Sequence, residues 1–335
     1  MKKRILTGDN PTGKLHLGHY VGSLENRVKL QEEYETFIIL ADMHAFAYPK
    51  YVSNPEVVSQ AVFEVAMDNL AVGLDPNKSF IFVESSVPEI YELGVIFSML
   101  VSHSRALRNP TIKDEIKVKG MGDNYSLGFI NFPILQAADI ISVGADLVPV
   151  GEDQLPHVEQ TNEIVRTFNL NYGKGSEVLK ETKGLVGRVK RLVGTDGSAK
   201  MTKSLGNCIY LSDSPEEVKQ KIMNMYTDPK RIRATDPGTV EGNPVFIYHD
   251  AFNSNKEEVE DLKASYLVGK VGDVEVKQKL LVAVNAFIAP IREKRIYFEN
   301  NRNLVRDILV TGIEKTRFEA KKTLDVAKEA MQISI

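Results

Sequence analysis

Two imidazoles open the chemistry of this chain. They stand in His16-Leu17-Gly18-His19, directly after a short apolar segment and the glycine-bearing turn Gly8-Asp9-Asn10-Pro11-Thr12-Gly13-Lys14. At helical spacing the two rings face one side. Gly18 lets a nucleotide approach the backbone closely, and a helix N-terminus attracts a triphosphate. Such a quartet is equally compatible with two surface histidines flanking a turn glycine. A phosphate loop is a third reading, because Gly8, Gly13 and Lys14 match GxxxxGK. The next position, however, is Leu15, where a Ser or Thr hydroxyl should hold magnesium.

A second constellation is Lys200-Met201-Thr202-Lys203-Ser204, set between Gly194-Thr195-Asp196-Gly197-Ser198 and Leu205-Gly206-Asn207. Two lysines and two hydroxyls beside glycines can close over polyphosphate and stabilise the charge on departing pyrophosphate. Taken alone, the stretch reads more simply as a solvated basic loop.

The elements that must position these residues alternate. Arg4–Thr7 reads as a short strand, and a helix is expected from about Gly18 to Tyr34. Phe37-Ile38-Ile39-Leu40-Ala41 and Phe80-Ile81-Phe82-Val83 are continuous apolar runs, the mark of buried parallel strands. Asn54-Pro55 opens a helix to about Leu70. Helices follow near Pro88–Ser102 and Pro133–Ser142, then a last short strand at Asp146–Val150 and a helix at Glu152–Phe168. This order implies a doubly wound, Rossmann-like α/β unit, with ligands at the carboxyl ends of its strands. After Ile209-Tyr210-Leu211 nearly everything reads as helix, and Ser214-Pro215-Glu216-Glu217 is a strong helix start. The shift near residue 206 divides the chain into an α/β catalytic domain, 1–205, and an all-helical domain, 206–335.

Composition narrows the class without choosing a partner. Hydrophobic residues make up 43% and charged residues 26%, ordinary for a globular protein, and the net charge of −3 advertises no nucleic-acid partner. The single cysteine, Cys208, excludes an internal disulfide and a cysteine metal cluster. No apolar run is long enough for a signal peptide or a membrane span, so a cytoplasmic protein is expected.

H-x-G-H after the first strand and K-M-[ST]-K-S after the last are the paired signatures of class I aminoacyl-tRNA synthetases. On both motifs together the chain resembles the bacterial tryptophanyl-tRNA synthetase family over essentially its whole length. Further matching stretches are Leu6–Leu24, Ile39–His44, Phe132–Asp139, Val148–Gln154, Met225–Pro229 and Asp236-Pro237-Gly238.

The resemblance implies a site residue by residue. ATP, as its magnesium complex, would lie over Asn10, Pro11, Thr12, Gly18 and His19. Gly151, Glu152 and Asp153 would line the adenosine, with Leu192 beside adenine. Lys200, Met201, Thr202, Lys203 and Ser204 would bind the phosphates, Thr202 keeping the hydroxyl of the commoner Ser. Asp139 matches the carboxylate that accepts the indole N–H, and an indole nitrogen is a donor only. Leu6, His44, Gln136, Val148, Val150 and Gln154 match other positions of the tryptophan pocket. Two positions depart from the family pattern: Phe132 stands where a Tyr is common, and Gln136 where Met is common. Each residue also has a plainer reading: Asp139 as a cap or ion-pair partner, Val148 and Val150 as core, and His44 as a satisfied core histidine.

On this resemblance the tryptophan carboxylate attacks the α-phosphate of ATP, and the tRNA ribose then takes the activated acyl group. His16, His19, Lys200 and Lys203 would stabilise the phosphates, and no protein metal cage is expected. The helical half would bind the anticodon end of tRNA(Trp). Lys230, Arg231 and Arg233 form a basic cluster there that reads equally as a solvated turn. The family works as a homodimer. Rival readings are the tyrosyl-tRNA synthetases, which share both signatures, a small nucleotidyltransferase, and a non-catalytic paralogue that only binds RNA or an amino acid.

Overall fold

Five parallel strands carry the site. β1 (Arg4–Asp9), β2 (Glu35–Leu40), β3 (Ser79–Val83), β4 (Leu147–Val150) and β5 (Lys183–Val186) pair in the order β3-β2-β1-β4-β5. The winding direction reverses between β1 and β4, which leaves a crevice at their carboxyl ends. The computed structural model describes residues 2–118, 120, 122, 124–151, 155–186, 192–198 and 201–333.

Helices cover both faces. α1 (Leu17–His19) passes through a π-helical turn at Tyr20–Leu24 into α2 (Glu25–Leu30). α3 (Asp42–Ala45), α4 (Pro49–Val52) and α5 (Pro55–Ala71) link β2 to β3. α6 (Pro88–Ser98), α7 (His103–Leu107), α8 (Pro110–Val118) and α9 (Leu127–Ser142) lead to β4, and α10 (Leu155–Tyr172) to β5. The remainder is α11 (Pro215–Met223), α12 (Pro244–Phe252), α13 (Lys256–Leu267), α14 (Asp273–Asn300) and α15 (Arg302–Met331). None of the described helices is long and apolar enough to cross a membrane.

The doubly wound sheet matches the alternation of apolar runs, and several details differ from the sequence expectation. β5 follows β4, so Asp146–Val150 does not hold the last strand; Lys183-Gly184-Leu185-Val186 is too short to show a period. The expected helix from Gly18 to Tyr34 is broken by the π-turn and stops at Leu30. α9 begins at Leu127, where the Ser126 hydroxyl accepts the Phe129 N–H at 3.1 Å, and carries Pro133 inside it rather than at its start. Pro88–Ser102 ends at Ser98, and Ser102 instead caps α7 by accepting the Arg105 N–H. The Ser214 start forms as expected. The Ser214 hydroxyl accepts the Glu217 N–H at 3.2 Å, and Glu217 accepts the Ser214 N–H at 2.8 Å.

Alternation along the strands builds two cores. Phe37, Ile39, Phe82 and Val148 face α6, α9, α10 and α15. Ile38, Leu40 and Ile81 face α5 and join Leu192, Met201, Ile209, Leu211 and the inner faces of α11, α12 and α14 in one continuous apolar cluster. The last helix returns to the sheet. α15 crosses the edge strand β3 so closely that a Cβ at Gly312 would stand 2.0 Å from the Ile81 carbonyl oxygen. A covered edge cannot pair with another chain. Within the helical half, Arg231 is buried against the Tyr266 ring at 4.1 Å. It donates to the carbonyls of Ala234, Asp236 and Val271 and pairs with Asp273. The cluster Lys230-Arg231-Arg233 therefore offers only Lys230 and Arg233 to solvent.

Candidate active site

The crevice at the reversal point is a cleft of about 800 Å³. β1 contributes Leu6, Thr7, Gly8 and Asp9, followed by Asn10; β2 contributes Ile39, followed by Ala41. β4 adds Val148, Pro149 and Val150, followed by Gly151. His16, Gly18, His19, His44, Phe132, Gln136, Asp139, Leu192 and Met201 complete most of the expected set. Pro11, Thr12, Thr202 and Lys203 lie beside the cleft rather than in its lining. Glu152, Asp153, Gln154 and Lys200 lie outside the described residues, as does the side chain of Ser204.

At the nucleotide end, the chain between β1 and α1 is held from several sides. His16 caps α1, and its N–H donates to His19 Nδ1 at 3.1 Å, with the ring centroids 3.8 Å apart. A Cβ at Gly18 would meet the His16 ring at 2.9 Å and Met201 Sδ at 3.3 Å. The glycine is thus required by the protein's own packing. Gly13 has φ +125°, a backbone region that L side chains rarely adopt. Its carbonyl accepts from Lys203 Nζ at 2.7 Å. These contacts bring the two sequence signatures together across 190 residues. Burial lowers the Lys203 ammonium against the pull of Asp9 and Asp68. Leu15 is fully buried, which removes the phosphate-loop reading: the position that should hold magnesium is part of the core.

The loop before Lys203 is pinned locally. Asn207 accepts the Thr202 N–H at 2.8 Å and donates to Asp196 at 3.0 Å and Ser198 at 2.9 Å. Behind β1, Arg27 grips Asp9 through two bonds of 2.6 and 3.0 Å and donates to the Gly8 carbonyl at 2.8 Å. Burial would raise the Asp9 carboxyl, but Arg27 outweighs it and holds it below its usual value. Asp9 is consequently an ionised, already paired group.

At the other end of the cleft, His44 Nε2 stands 3.0 Å from Asp139 Oδ2 and 3.6 Å from Glu84 Oε1. Burial pushes the imidazole down, but Glu84 and Asp139 outweigh it and raise it to about 9. Burial, with Asp139 nearby, raises Glu84 to about 8, and burial raises Asp139. At neutral pH His44 is therefore an imidazolium that donates to Asp139, beside a protonated Glu84. Asp139 is 3% exposed, and its second oxygen, Oδ1, is buried without a hydrogen-bond partner among the described residues. The donor atoms of His44, Glu84 and Asp139 lie within 4.8 Å of one another, close enough for a cation. The His44–Asp139 bond already engages two of them. The Phe132 ring packs edge-on to His44 with centroids 6.1 Å apart, so it supplies a wall and no hydroxyl.

Sequence reading missed several residues. Glu84 directly follows β3, and the rule that ligands gather at strand carboxyl ends could have found it. Tyr48, Thr111 and Glu115 line the cleft itself, with Tyr48 donating to Glu115 at 2.7 Å. No local pattern marks them, because the residue before α4 and the helix α8 reach the cleft only through packing.

A protein-family model described as "tRNA synthetases class I (W and Y)" matches residues 1–289. The chain is 51% identical over 336 residues to the tryptophan–tRNA ligase of Clostridium longisporum, covering 99% of this chain and 97% of the relative. It is 48% identical over 340 residues to the tryptophan–tRNA ligase of Lactococcus lactis subsp. lactis, covering 99% and 98%. Among solved structures it resembles tryptophanyl-tRNA synthetase from Campylobacter jejuni complexed with ADP and tryptophan. That likeness has a TM-score of 0.87 and 31% identity, covering 98% of this chain and 99% of the other.

Proposed function

We propose that this chain, which belongs to the class I tRNA synthetases for tryptophan and tyrosine, is a tryptophan–tRNA ligase. It activates L-tryptophan with ATP to the adenylate, releasing pyrophosphate, and passes the acyl group to tRNA(Trp). The observation that carries the amino-acid choice is Asp139 Oδ1, a buried acceptor with no hydrogen-bond partner among the described residues, on the wall of the cleft. An indole N–H is a single donor that completes it. A phenol is a poorer match, because its oxygen also brings lone pairs into the recess.

Tryptophan lies with its ring against Leu6, His44, Phe132, Val148 and Val150, its indole nitrogen on Asp139. Gln136 and Gln154 supply polar contacts around it. ATP binds as its magnesium complex over Asn10, Pro11, Thr12, Gly18 and His19, with Gly151, Glu152, Asp153 and Leu192 around the adenosine and Met201 in the stretch that meets the phosphates. Asp9 is committed to Arg27, which supports leaving magnesium on the phosphates rather than in a protein cage. The substrate carboxylate is already a nucleophile at neutral pH, so positioning and charge stabilisation carry the reaction. His16 and His19 hydrogen-bond the phosphates, while Lys200 and Lys203, with the hydroxyls of Thr202 and Ser204, neutralise charge on departing pyrophosphate.

Residues 1–205 act as the catalytic domain and residues 206–335 as the helical domain that holds the anticodon end of the tRNA. The protein works as a homodimer in the cytoplasm. The test is exchange of pyrophosphate into ATP with each amino acid offered singly and no tRNA. Exchange with tryptophan alone is expected. Exchange with tyrosine would overturn the specificity, and no exchange with any amino acid would overturn the enzyme reading.

A further inference from the structure

Asp68, in the last turn of α5, is 0% exposed, yet it touches the backbone just before His16. Its Oδ2 accepts the Leu15 N–H at 2.7 Å. Leu15 immediately precedes His16, and its carbonyl accepts from the Leu211 N–H at 3.0 Å. The Leu17 N–H donates to the Ile209 carbonyl at 2.9 Å. The peptide that launches His16-Leu17-Gly18-His19 is therefore held on one side by Asp68 and on the other by residues 209–211.

The other oxygen of Asp68, Oδ1, accepts from Arg295 on α14. Arg295 is 1% exposed; it also donates to the Glu64 carbonyl at 3.2 Å, to the Glu64 carboxylate, and pairs with Glu299 at 3.2 Å. A buried carboxylate stays ionised only with such a partner: burial pushes Asp68 up to about 6, while Arg295 and the Leu15 N–H pull against it. The pair lies 227 residues apart and joins the long helix of the C-terminal half to the nucleotide turn.

We propose that Arg295 and Asp68 are positioning residues for ATP, fixing the peptide before His16 so that the two histidines meet the phosphates. The inference rests on the ATP-dependent activity proposed above. Without Arg295, Asp68 takes up a proton, and one of its oxygens becomes a donor facing either Leu15 N–H or empty space. Without the charge of Asp68, the fork of Arg295 loses its carboxylate and the Leu15 N–H its strongest acceptor.

The experiment compares Arg295→Ala, Asp68→Asn and Arg295→Lys in tryptophan-dependent pyrophosphate exchange, alongside tryptophan binding without ATP. The chain contains no Trp, so the emission of the bound ligand is read directly. Displacing a reacting group by ~1 Å costs up to ~100-fold, so a loss of at least ~10-fold in kcat/KM for ATP is expected of Arg295→Ala and Asp68→Asn. Tryptophan affinity should stay within about twofold, and Arg295→Lys should recover part of the loss, since an ammonium keeps the charge but not the fork. If the first two variants lower only the melting temperature and leave kcat/KM for ATP at the wild-type value, the proposal is overturned. Should Arg295→Ala fail to fold, Asp68→Asn and Arg295→Lys decide by the same criterion. If the wild type exchanges no pyrophosphate with tryptophan, the functional reading fails separately. Calorimetric titration of ATP into wild type and variants then tests the relay, and equal affinities would sink it.

Discussion

His44 Nε2 lies 3.0 Å from Asp139 Oδ2, and that single bond divides the Asp139 carboxylate into an occupied and a vacant half. The imidazole takes Oδ2 and balances its charge. Oδ1 remains buried, oriented and unpaired. A buried acceptor left without a donor costs about 1–3 kcal/mol, so a bound side chain whose N–H reaches Oδ1 is favoured by about that much over one that leaves it unpaired.

Asp139→Asn tests this directly. The amide keeps the shape but can place its NH2 where the indole N–H arrives. KM for tryptophan in pyrophosphate exchange should rise about 10- to 100-fold, with KM for ATP little changed, in line with about 1–3 kcal/mol for an unpaired buried group. An unaltered KM for tryptophan would remove Asp139 from the pocket.

The same cluster predicts how stability depends on pH. His44 is raised from 6.5 to about 9 and Glu84 from 4.5 to about 8. Both hold their protons more tightly folded than unfolded. Their contribution is therefore complete below the unfolded values and is lost as pH rises through the folded ones. The cluster's contribution to melting temperature should fall between about pH 4.5 and pH 9, most steeply between about pH 6.5 and pH 8 where both groups contribute, and the double variant His44→Asn/Glu84→Gln should show a flatter profile. Identical slopes in both proteins would contradict the assignment.

Lys203 spans from the second signature to the Gly13 carbonyl. Lys203→Ala, and separately Lys200→Ala, should slow adenylate formation by at least ~100-fold, the scale of losing one preorganised charge-stabilising group. The thermal melt of Lys203→Ala should be nearly unchanged, since Lys203 is half-buried and stands outside both apolar clusters. Rapid-quench measurement of the first turnover checks this, and normal activation rates would refute the role.

Gly312 sets how closely α15 lies on β3. A Cβ there would meet the Ile81 carbonyl oxygen at 2.0 Å, a backbone atom that cannot step aside. Gly312→Ala should destabilise the fold by about 1–3 kcal/mol, as overpacking does. Denaturant unfolding should register it as a lower midpoint, and an unshifted midpoint would mean that the helix moves freely.

By itself the sequence determined whatever depends on neighbours along the chain. Apolar runs located β1, β2 and β3, and the Ser214 capping box marked α11. The paired signatures pointed to the family, and that resemblance in turn matched Asp139 to the carboxylate that accepts an indole N–H. Local signals failed where local preference was overridden. Pro133 looked like a helix start but lies inside α9, and β5 is too short to show a period. Tertiary structure alone decided the long-range pairings. His44 with Asp139, Lys203 with Gly13, and Arg295 with Asp68 through to Leu15 join residues distant in sequence. It also decided that Arg231 is buried rather than offered to solvent. The reason is physical: periodicity and caps act within a turn or two of backbone. Burial, which decides whether an oxygen is solvated, paired or left waiting, is a property of everything packed around it.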